Sequence, residues 1–159
     1  MDKQKVVEQI RQYLDQELAA ALQAAKAAYE AATHEESKPE DQYDTRSLEA
    51  SYLAGAQAKR ADEIQQLLTM YKFLPIRPYG ADDVICAAAL VELDVRGTRA
   101  FYFIAPHGGG MVTAVDGKPV QVITPNSPVG DAIIGHRVGD VIEVEVRDSV
   151  RVYKVISIA

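Results

Sequence analysis

The sequence predicts an α+β protein in which a long antiparallel helical hairpin precedes a β-rich domain. Up to Leu74, apolar side chains recur every three or four positions, which is the period of a helix. After Pro78 the chain consists of short runs rich in Val, Ile, Tyr and Phe, bounded by turn residues, which is typical of strands. The change falls at Pro75, so we place the hairpin at residues 1–75 and the second domain at residues 76–159.

The first helix is predicted over residues 2–33, which contain neither proline nor glycine and are rich in strong helix formers. Its apolar positions form one continuous stripe: Val6, Ile10, Tyr13, Leu14, Leu18, Ala21, Ala25, Ala28 and Ala32. A helix of this length extends roughly 45–50 Å, at about 1.5 Å per residue. It therefore needs a partner that covers the stripe.

The second helix begins after an N-cap at Asp44 or Thr45 and ends before Pro75. Its stripe consists of Ala50, Leu53, Ala54, Gln57, Ala61, Ile64, Leu67, Leu68, Tyr71 and Leu74. A short polar segment at residues 34–43 joins the two helices, so they run antiparallel. Alanines near the tip predict a slender hairpin; the alternative is that the two helices belong to a globular bundle.

The second domain is predicted to hold a sheet of about five strands and one short helix. The expected strands are Val84–Val95, Arg99–Ile104, Val120–Ile123, Val141–Val146 and Val150–Ile158. Residues 129–135 are too short and too rich in flanking glycine for a strand, so they indicate a two-turn helix. The glycine run at residues 107–110 lacks the lysine and the following helix of a phosphate loop, and we interpret it as a turn between strands.

The composition argues against several classes of function. The net charge is −6 and the basic residues are scattered, so we expect no autonomous binding to nucleic acid. The only cysteine, Cys86, excludes a disulfide framework and a zinc site built from cysteine pairs; we interpret it as a buried structural thiol. No apolar run reaches the length of a membrane span, and the first residues are amphipathic, so we expect a cytoplasmic protein.

One segment, residues 122–144, resembles the C-terminal signature of the Gre family of transcript-cleavage and transcription elongation factors. In that family a strand leads into Ser-Pro, a short apolar helix, a Gly-Lys-x-x-Gly-Asp turn and another strand. Here Ser127-Pro128 begins the helix, and Gly135 through Asp140 supply the turn, with His136 at the position of the lysine. A helix start at Ser127-Pro128 is also expected on physical grounds, because serine caps a helix and proline suits its first position.

The resemblance implies a long helical hairpin followed by an FKBP-like domain, and RNA polymerase as the partner. It implies that Asn126, Ser127 and Pro128 contact the polymerase, although simple helix capping also explains them. It further implies that the hairpin enters the secondary channel of the polymerase, where carboxylates at the tip help to hold the second catalytic Mg²⁺. The Mg²⁺ is then shared with the polymerase, and the protein is a monomer and at most a cofactor of the polymerase's own cleavage activity.

The predicted tip is acidic, since five acids and one lysine between Glu35 and Asp44 give a local net charge of −4. Asp41 and Asp44 have the spacing of three found in the acidic pair of the family, and they are our candidates for catalytic contact. Together with Glu40, they are also the candidate metal ligands. The alternative is an ordinary solvated loop.

The sequence around the tip departs from the Gre pattern. In the Gre family, an Asp and a Glu three residues later stand just ahead of an Asn-Ala-Glu-Tyr stretch. If Tyr52 is matched to that tyrosine, the acidic pair falls on Thr45 and Leu48; if Tyr43 is matched, it falls on Glu36 and Pro39. Neither register reproduces the pair. Stimulation of transcript cleavage and non-cleaving inhibition of the polymerase therefore both stay open.

Two further functions come from other classes of protein. An FKBP-like fold could carry peptidyl-prolyl isomerase activity, but that activity needs a deep aromatic pocket and the domain contains no tryptophan. A passive coiled-coil dimeriser would use the hairpin alone. Isomerase and light-scattering measurements distinguish these two functions from a polymerase-binding factor.

Overall fold

The computed structural model describes residues 1–34, 45–80, 82–146 and 149–159. Two long helices come first and a mixed sheet follows, so the predicted α+β class is confirmed. The elements are α1 (Lys3–Thr33), α2 (Arg46–Phe73), β1 (Leu90–Val95), β2 (Thr98–Ile104), β3 (Val112–Val115), β4 (Lys118–Ile123), α3 (Pro128–Ile133), β5 (Val141–Val146) and β6 (Ser149–Ile158). None of the described helices is long and apolar enough to cross a membrane.

The chain divides into two compact units. One unit is Arg11–Lys72, and the other combines Met1–Ile10 with Phe73–Ala159. The first turns of α1 thus group with the β-rich part of the chain, and Val6 and Ile10 in these turns are fully buried. The division into domains at residues 75 and 76 stays a prediction.

Within the unit Arg11–Lys72, α1 and α2 run antiparallel. The Ser47 hydroxyl donates to the Ala32 carbonyl over 3.0 Å, and the Arg60 guanidinium lies 4.0 Å from the Glu17 carboxylate. Later residues of α2 therefore pair with earlier residues of α1, as antiparallel helices require. This order of contacts is the one expected for the predicted antiparallel hairpin.

The predicted stripes are broader than the surface that the two helices bury. Tyr13 and Leu53 are 42% and 53% exposed, so including them in the stripes was wrong. No residue of α2 before Ala61 is buried. Two helices in contact cover only a narrow line of each other, and small alanine side chains near the tip leave flanking residues open to solvent.

The sheet contains six strands in the order β3-β4-β2-β1-β6-β5, and all pairs are antiparallel except β2 with β4. Two tight turns connect neighbouring strands, one at Arg96-Gly97 and one at Asp116-Gly117. All four residues have positive φ, from 53° to 83°, as the type I′ turns of two-residue hairpins require.

Two expected boundaries in the β-rich part were wrong, and one strand was not predicted. The first strand begins at Leu90 and not at Val84, because the preceding residues form a turn in which Ala88 has φ 64°. The short helix ends at Ile133 and not at residue 135, because Gly135 adopts φ 83°. The sheet has six strands and not five, because β3 was not predicted; its four residues are too few for a clear alternation.

Both faces of the sheet are covered near its centre. Leu93, Ile104 and Val155 lie in one core with Ile133 of α3 and are all but inaccessible to solvent. Phe103 points to the opposite face and is also fully buried, as is Val120 on β4. The uninterrupted apolar run at the end of β2 is the sequence feature that matches burial on two faces.

Candidate functional site

The turn between β4 and α3 contains three predicted partner-binding residues, Asn126, Ser127 and Pro128. Ser127 has an extended backbone, and its hydroxyl accepts a hydrogen bond from the Gly130 amide over 3.1 Å. The same hydroxyl donates to the Thr124 carbonyl over 2.8 Å, and the Ser127 amide donates to that carbonyl over 3.0 Å. The predicted cap is confirmed, and it holds the turn in one conformation.

The turn presents two side chains to solvent. Asn126 and Pro128 are exposed, whereas Ser127 between them is half-buried. A proline ring has no χ freedom to lose, so an exposed Pro128 on a capped turn is already held in one conformation. Binding by Asn126 and Pro128 and capping by Ser127 are therefore compatible.

A close approach explains why residue 130 is a glycine. A Cβ atom added at Gly130 would lie 2.0 Å from the Thr124 carbonyl oxygen and 2.8 Å from the Ser127 hydroxyl. Such distances leave no room for any side chain. Gly130 thus lets α3 start directly against the end of β4.

The second turn of the Gre-like segment runs from Gly135 to Asp140. The Asp140 carboxylate accepts a hydrogen bond from the Arg137 amide over 2.9 Å and lies 3.0 Å from His136 Nδ1. The bond from the Arg137 amide, followed by that to His136, holds the pKa of Asp140 below its ordinary value. His136, which replaces the lysine of the family pattern, therefore contacts the aspartate of its own turn.

A cavity of about 360 Å³ lies beside the capped turn. Its lining residues are Gly109, Gly110, Met111, Val112, Gln121, Val122, Ile123, Thr124 and Ser127. The glycine run was predicted only to form a turn between strands, and the cavity was not predicted. The available signal was three consecutive glycines next to apolar residues.

A second group of polar side chains surrounds Tyr79. Lys3 Nζ lies 4.4 Å from the ring centroid of Tyr79 and donates to the Arg77 carbonyl over 2.7 Å. Burial, followed by the charge of Arg77, lowers the pKa of Lys3. The Tyr79 hydroxyl lies 2.9 Å from Cys86 Sγ, and Cys86 is half-buried and not fully buried as predicted. This group connects the start of α1 to the segment that follows α2.

The predicted tip residues Glu40, Asp41 and Asp44 lie outside the described residues. Among the residues that the structure does describe, no group of three or more His, Cys, Asp or Glu side chains could hold a metal ion. The metal assignment at the tip therefore stays a prediction. Its support is chemical, since carboxylate oxygens are the hard ligands that Mg²⁺ prefers.

Comparison with known proteins decides the family. Residues 114–159, which contain β4, α3, β5 and β6, match the family model for the C-terminal part of the transcription elongation factors GreA and GreB. The transcription inhibitor protein Gfh1 of Thermus thermophilus is 30% identical over 122 residues, which cover 74% of this chain and 73% of that protein. The chain belongs to the GreA/GreB family. The resemblance found in the sequence is thereby confirmed.

Other relatives of this GreA/GreB-family chain have similar coverage. Transcription elongation factor GreA of Thermomicrobium roseum is 25% identical over 135 residues, or 84% of this chain and 80% of that one. The crystal structure of Thermus thermophilus Gfh1 is 23% identical with a TM-score of 0.38, and covers 94% of both chains. That of Thermus aquaticus Gfh1 is 24% identical with a TM-score of 0.39, and covers 95% of this chain and 92% of that one. Members of the family are elongation factors and not enzymes themselves.

Proposed function

We propose that this GreA/GreB-family protein binds RNA polymerase at the rim of the secondary channel and inserts its helical hairpin into that channel. The capped turn at Asn126, Ser127 and Pro128 carries the proposal, because it presents two exposed side chains in one fixed conformation at the positions that resemble the Gre signature. We expect the protein to act as a monomer in the cytoplasm. It acts on polymerase and not on free nucleic acid, because its net charge is −6.

The dimensions of the hairpin suit insertion. Residues 11–33 of α1 extend roughly 35 Å, at about 1.5 Å per residue. In the half of the hairpin near the tip, Ala25, Ala54 and Ala58 line a groove shared by the two helices, and such small side chains allow the helices to lie close together. Such a slender hairpin can enter a channel that would exclude a globular bundle.

The carboxylates at the tip are the proposed ligands of the catalytic Mg²⁺. Asp41 and Asp44, with Glu40, would contribute oxygen ligands to the Mg²⁺ of the polymerase, where that ion supports hydrolysis of backtracked RNA. The protein then supplies negative charge and ligand oxygens at one place, and the polymerase supplies the remaining groups. Mg²⁺ is expected to bind only in the complex.

Non-cleaving inhibition is the second candidate. The relative that is 30% identical is named a transcription inhibitor, and the acidic pair of the cleavage factors is not reproduced in either register of the tip. In that case the acidic tip would occupy the channel or retune the Mg²⁺ without promoting cleavage. The isomerase alternative is not proposed, because members of the family are not enzymes.

Binding is tested by pull-down with core RNA polymerase. The double variant Asn126→Ala, Pro128→Ala removes the exposed contacts but keeps the Ser127 cap, and we expect binding to fall at least tenfold. The matched control is Val150→Ala with Val152→Ala, two exposed positions on β6, which lies three strands from β4 in the sheet, and it should leave binding unchanged. Absence of binding by the wild-type protein would reject the proposal.

The two candidate modes are separated by incubating backtracked polymerase complexes with the protein and Mg²⁺. Shortening of the RNA that disappears with Asp41→Asn, Asp44→Asn identifies a cleavage factor. Slower elongation without shortening identifies an inhibitor, and the same double variant should then relieve the inhibition. If the double variant acts on the polymerase in the same way as the wild-type protein, Asp41 and Asp44 are not the functional residues.

A further inference from the structure

A second cavity, at the start of α1, contains a buried lysine. Its volume is about 450 Å³, and it is lined by residues 1–4, 76–79 and 158–159, all of which belong to the unit that contains the sheet. We infer that this cavity binds a small phosphate-bearing ligand, with the Lys3 ammonium and the Arg77 guanidinium as its cationic contacts. The cavity lies apart from the docking turn, so binding there does not depend on the proposed function.

The buried charge of Lys3 is the main observation. Lys3 is only 6% exposed and lines the cavity. Its ammonium donates a hydrogen bond to the Arg77 carbonyl over 2.7 Å and lies 4.4 Å from the centroid of the Tyr79 ring. Neither of these contacts carries a negative formal charge, whereas a buried lysine is ordinarily paired with one. An anion in the cavity would supply it.

A second cation lies against the same aromatic ring. The Arg77 guanidinium is 4.2 Å from the centroid of the Tyr79 ring, and its Nη1 donates to the Asp83 carboxylate over 2.9 Å. Asp83 therefore orients Arg77, although Asp83 does not line the cavity itself. Burial, followed by the charge of Arg77, lowers the pKa of Lys3. A bound anion would relieve the repulsion between the two cations and favour the charged form of Lys3.

The cationic groups and the size of the cavity indicate the class of ligand. A lysine ammonium binds phosphate as a point charge, and an arginine guanidinium binds it through a planar set of N–H donors. The 31-residue helix α1 begins at Lys3, so its N-terminal end adds a partial positive charge at the cavity. The volume equals that of roughly 15 waters, at about 30 Å³ each, which is enough for one or two phosphate groups on a small organic molecule.

Asp2 opposes the two cations and provides a test of the charge argument. It also lines the cavity, and its carboxylate accepts a hydrogen bond from the Gln4 amide over 2.8 Å, as the residue that caps a helix does. A negative charge at this place weakens the attraction for an anion. Asp2→Asn removes the charge and keeps a side chain that caps helices well, so it should tighten the binding of an anion several-fold.

A matched pair of lysines provides the main experiment, a titration of the full chain with pyrophosphate in buffer without divalent metal ions. Lys3→Met keeps the length of the side chain and removes a buried charge, which a packed apolar side chain replaces without loss of stability. We expect this variant to raise the dissociation constant on the order of tenfold, as for loss of a hydrogen bond between charged groups. Lys5→Met removes the same charge from a side chain that is 61% exposed, and should change the constant less than about twofold.

Two further measurements on the wild-type protein need no variant. The carbon-13 NMR signal of Lys3 Cε reports the pKa of the Lys3 ammonium, and this pKa should rise when pyrophosphate is added, because the anion stabilises the charged form. A parallel titration with acetate distinguishes a phosphate site from a carboxylate site. We expect acetate to bind more weakly than pyrophosphate, since it carries one negative charge and two oxygens only.

Several results would overturn the phosphate site. Absence of pyrophosphate binding by the wild-type protein is the simplest of them. Equal weakening by Lys3→Met and Lys5→Met would mean that only the overall charge attracts the anion, and tighter binding of acetate would mean that the ligand is a carboxylate. If Lys3→Met does not fold, the pKa of Lys3 in the wild-type protein decides, and a value that pyrophosphate leaves unchanged rejects the site. Pull-down with polymerase tests the proposed function separately.

Discussion

Replacing Gly130 by alanine should destabilise the β-rich part of the protein far more than a single methyl group ordinarily does. The added Cβ would lie 2.0 Å from the Thr124 carbonyl oxygen, whereas an ordinary carbon–oxygen contact is about 3.3 Å or more. The helix start or the end of β4 must therefore move by more than about 1 Å. That shift disrupts the two hydrogen bonds from Ser127 to the Thr124 carbonyl and the cap on the Gly130 amide.

The cost follows from these losses. Overpacking alone typically costs 1–3 kcal/mol, loss of a helix cap about 1 kcal/mol, and each neutral hydrogen bond about 1 kcal/mol. Because the contributions overlap, we expect the free energy of unfolding to fall by about 3 kcal/mol. Binding to polymerase should fall too, since Asn126 and Pro128 lie on the displaced turn.

Urea unfolding followed by circular dichroism, with hydrogen exchange of residues 122–135, measures the effect. Gly55→Ala is the matched control, because nothing lies within 4 Å of the added Cβ and the residue is inside α2. That change should stabilise the protein by up to about 1 kcal/mol, the difference in helix propensity. Equal stability of Gly130→Ala and the wild-type protein would refute the argument from close approach.

Two further predictions concern turns. Arg96 has φ 54° in a type I′ turn, so Arg96→Asn, which tolerates that conformation better, should raise the free energy of unfolding by about 0.5 kcal/mol; an unchanged urea midpoint would contradict this. The hydrogen bond from the Arg137 amide, followed by that to His136, lowers the pKa of Asp140. The contribution of Asp140 to stability is therefore present above about pH 4, the ordinary aspartate pKa, and is lost as the pH falls through the lowered pKa of the folded protein. Asp140→Asn should therefore flatten the loss of stability between pH 5 and pH 2, and parallel curves for the two proteins would show that the pairing adds nothing.

Local patterns were enough to predict much of this protein. The run without proline or glycine up to Thr33 predicted α1, Pro75 marked the end of the second helix, and Ser127-Pro128 predicted the start of α3. Each of these depends on residues within a few positions of one another. Helix propensity, capping and the φ restriction of proline act at that range.

Contacts between distant residues were not predicted. Tyr13 and Leu53 follow the helical period but are exposed, because the width of the contact between α1 and α2 depends on how the helices pack. Lys3 carries a charge and yet is only 6% exposed. Its ammonium group donates to the Arg77 carbonyl and lies over the Tyr79 ring, and both residues are more than 70 positions away in the sequence.

For the candidate site, the sequence alone predicted the cap at Ser127 and the family, both of which are confirmed. The acidic tip, which lies outside the described residues, and the docking role of the turn stay predictions. Only the tertiary structure decided that β3 exists as a strand, that a cavity opens between residues 109–112 and 121–124, and that Gly130 has no space for a side chain. The physical reason is the range of the interactions. A cap or a turn is specified by neighbours along the chain, whereas a cavity or a close approach exists only once strands distant in sequence have paired.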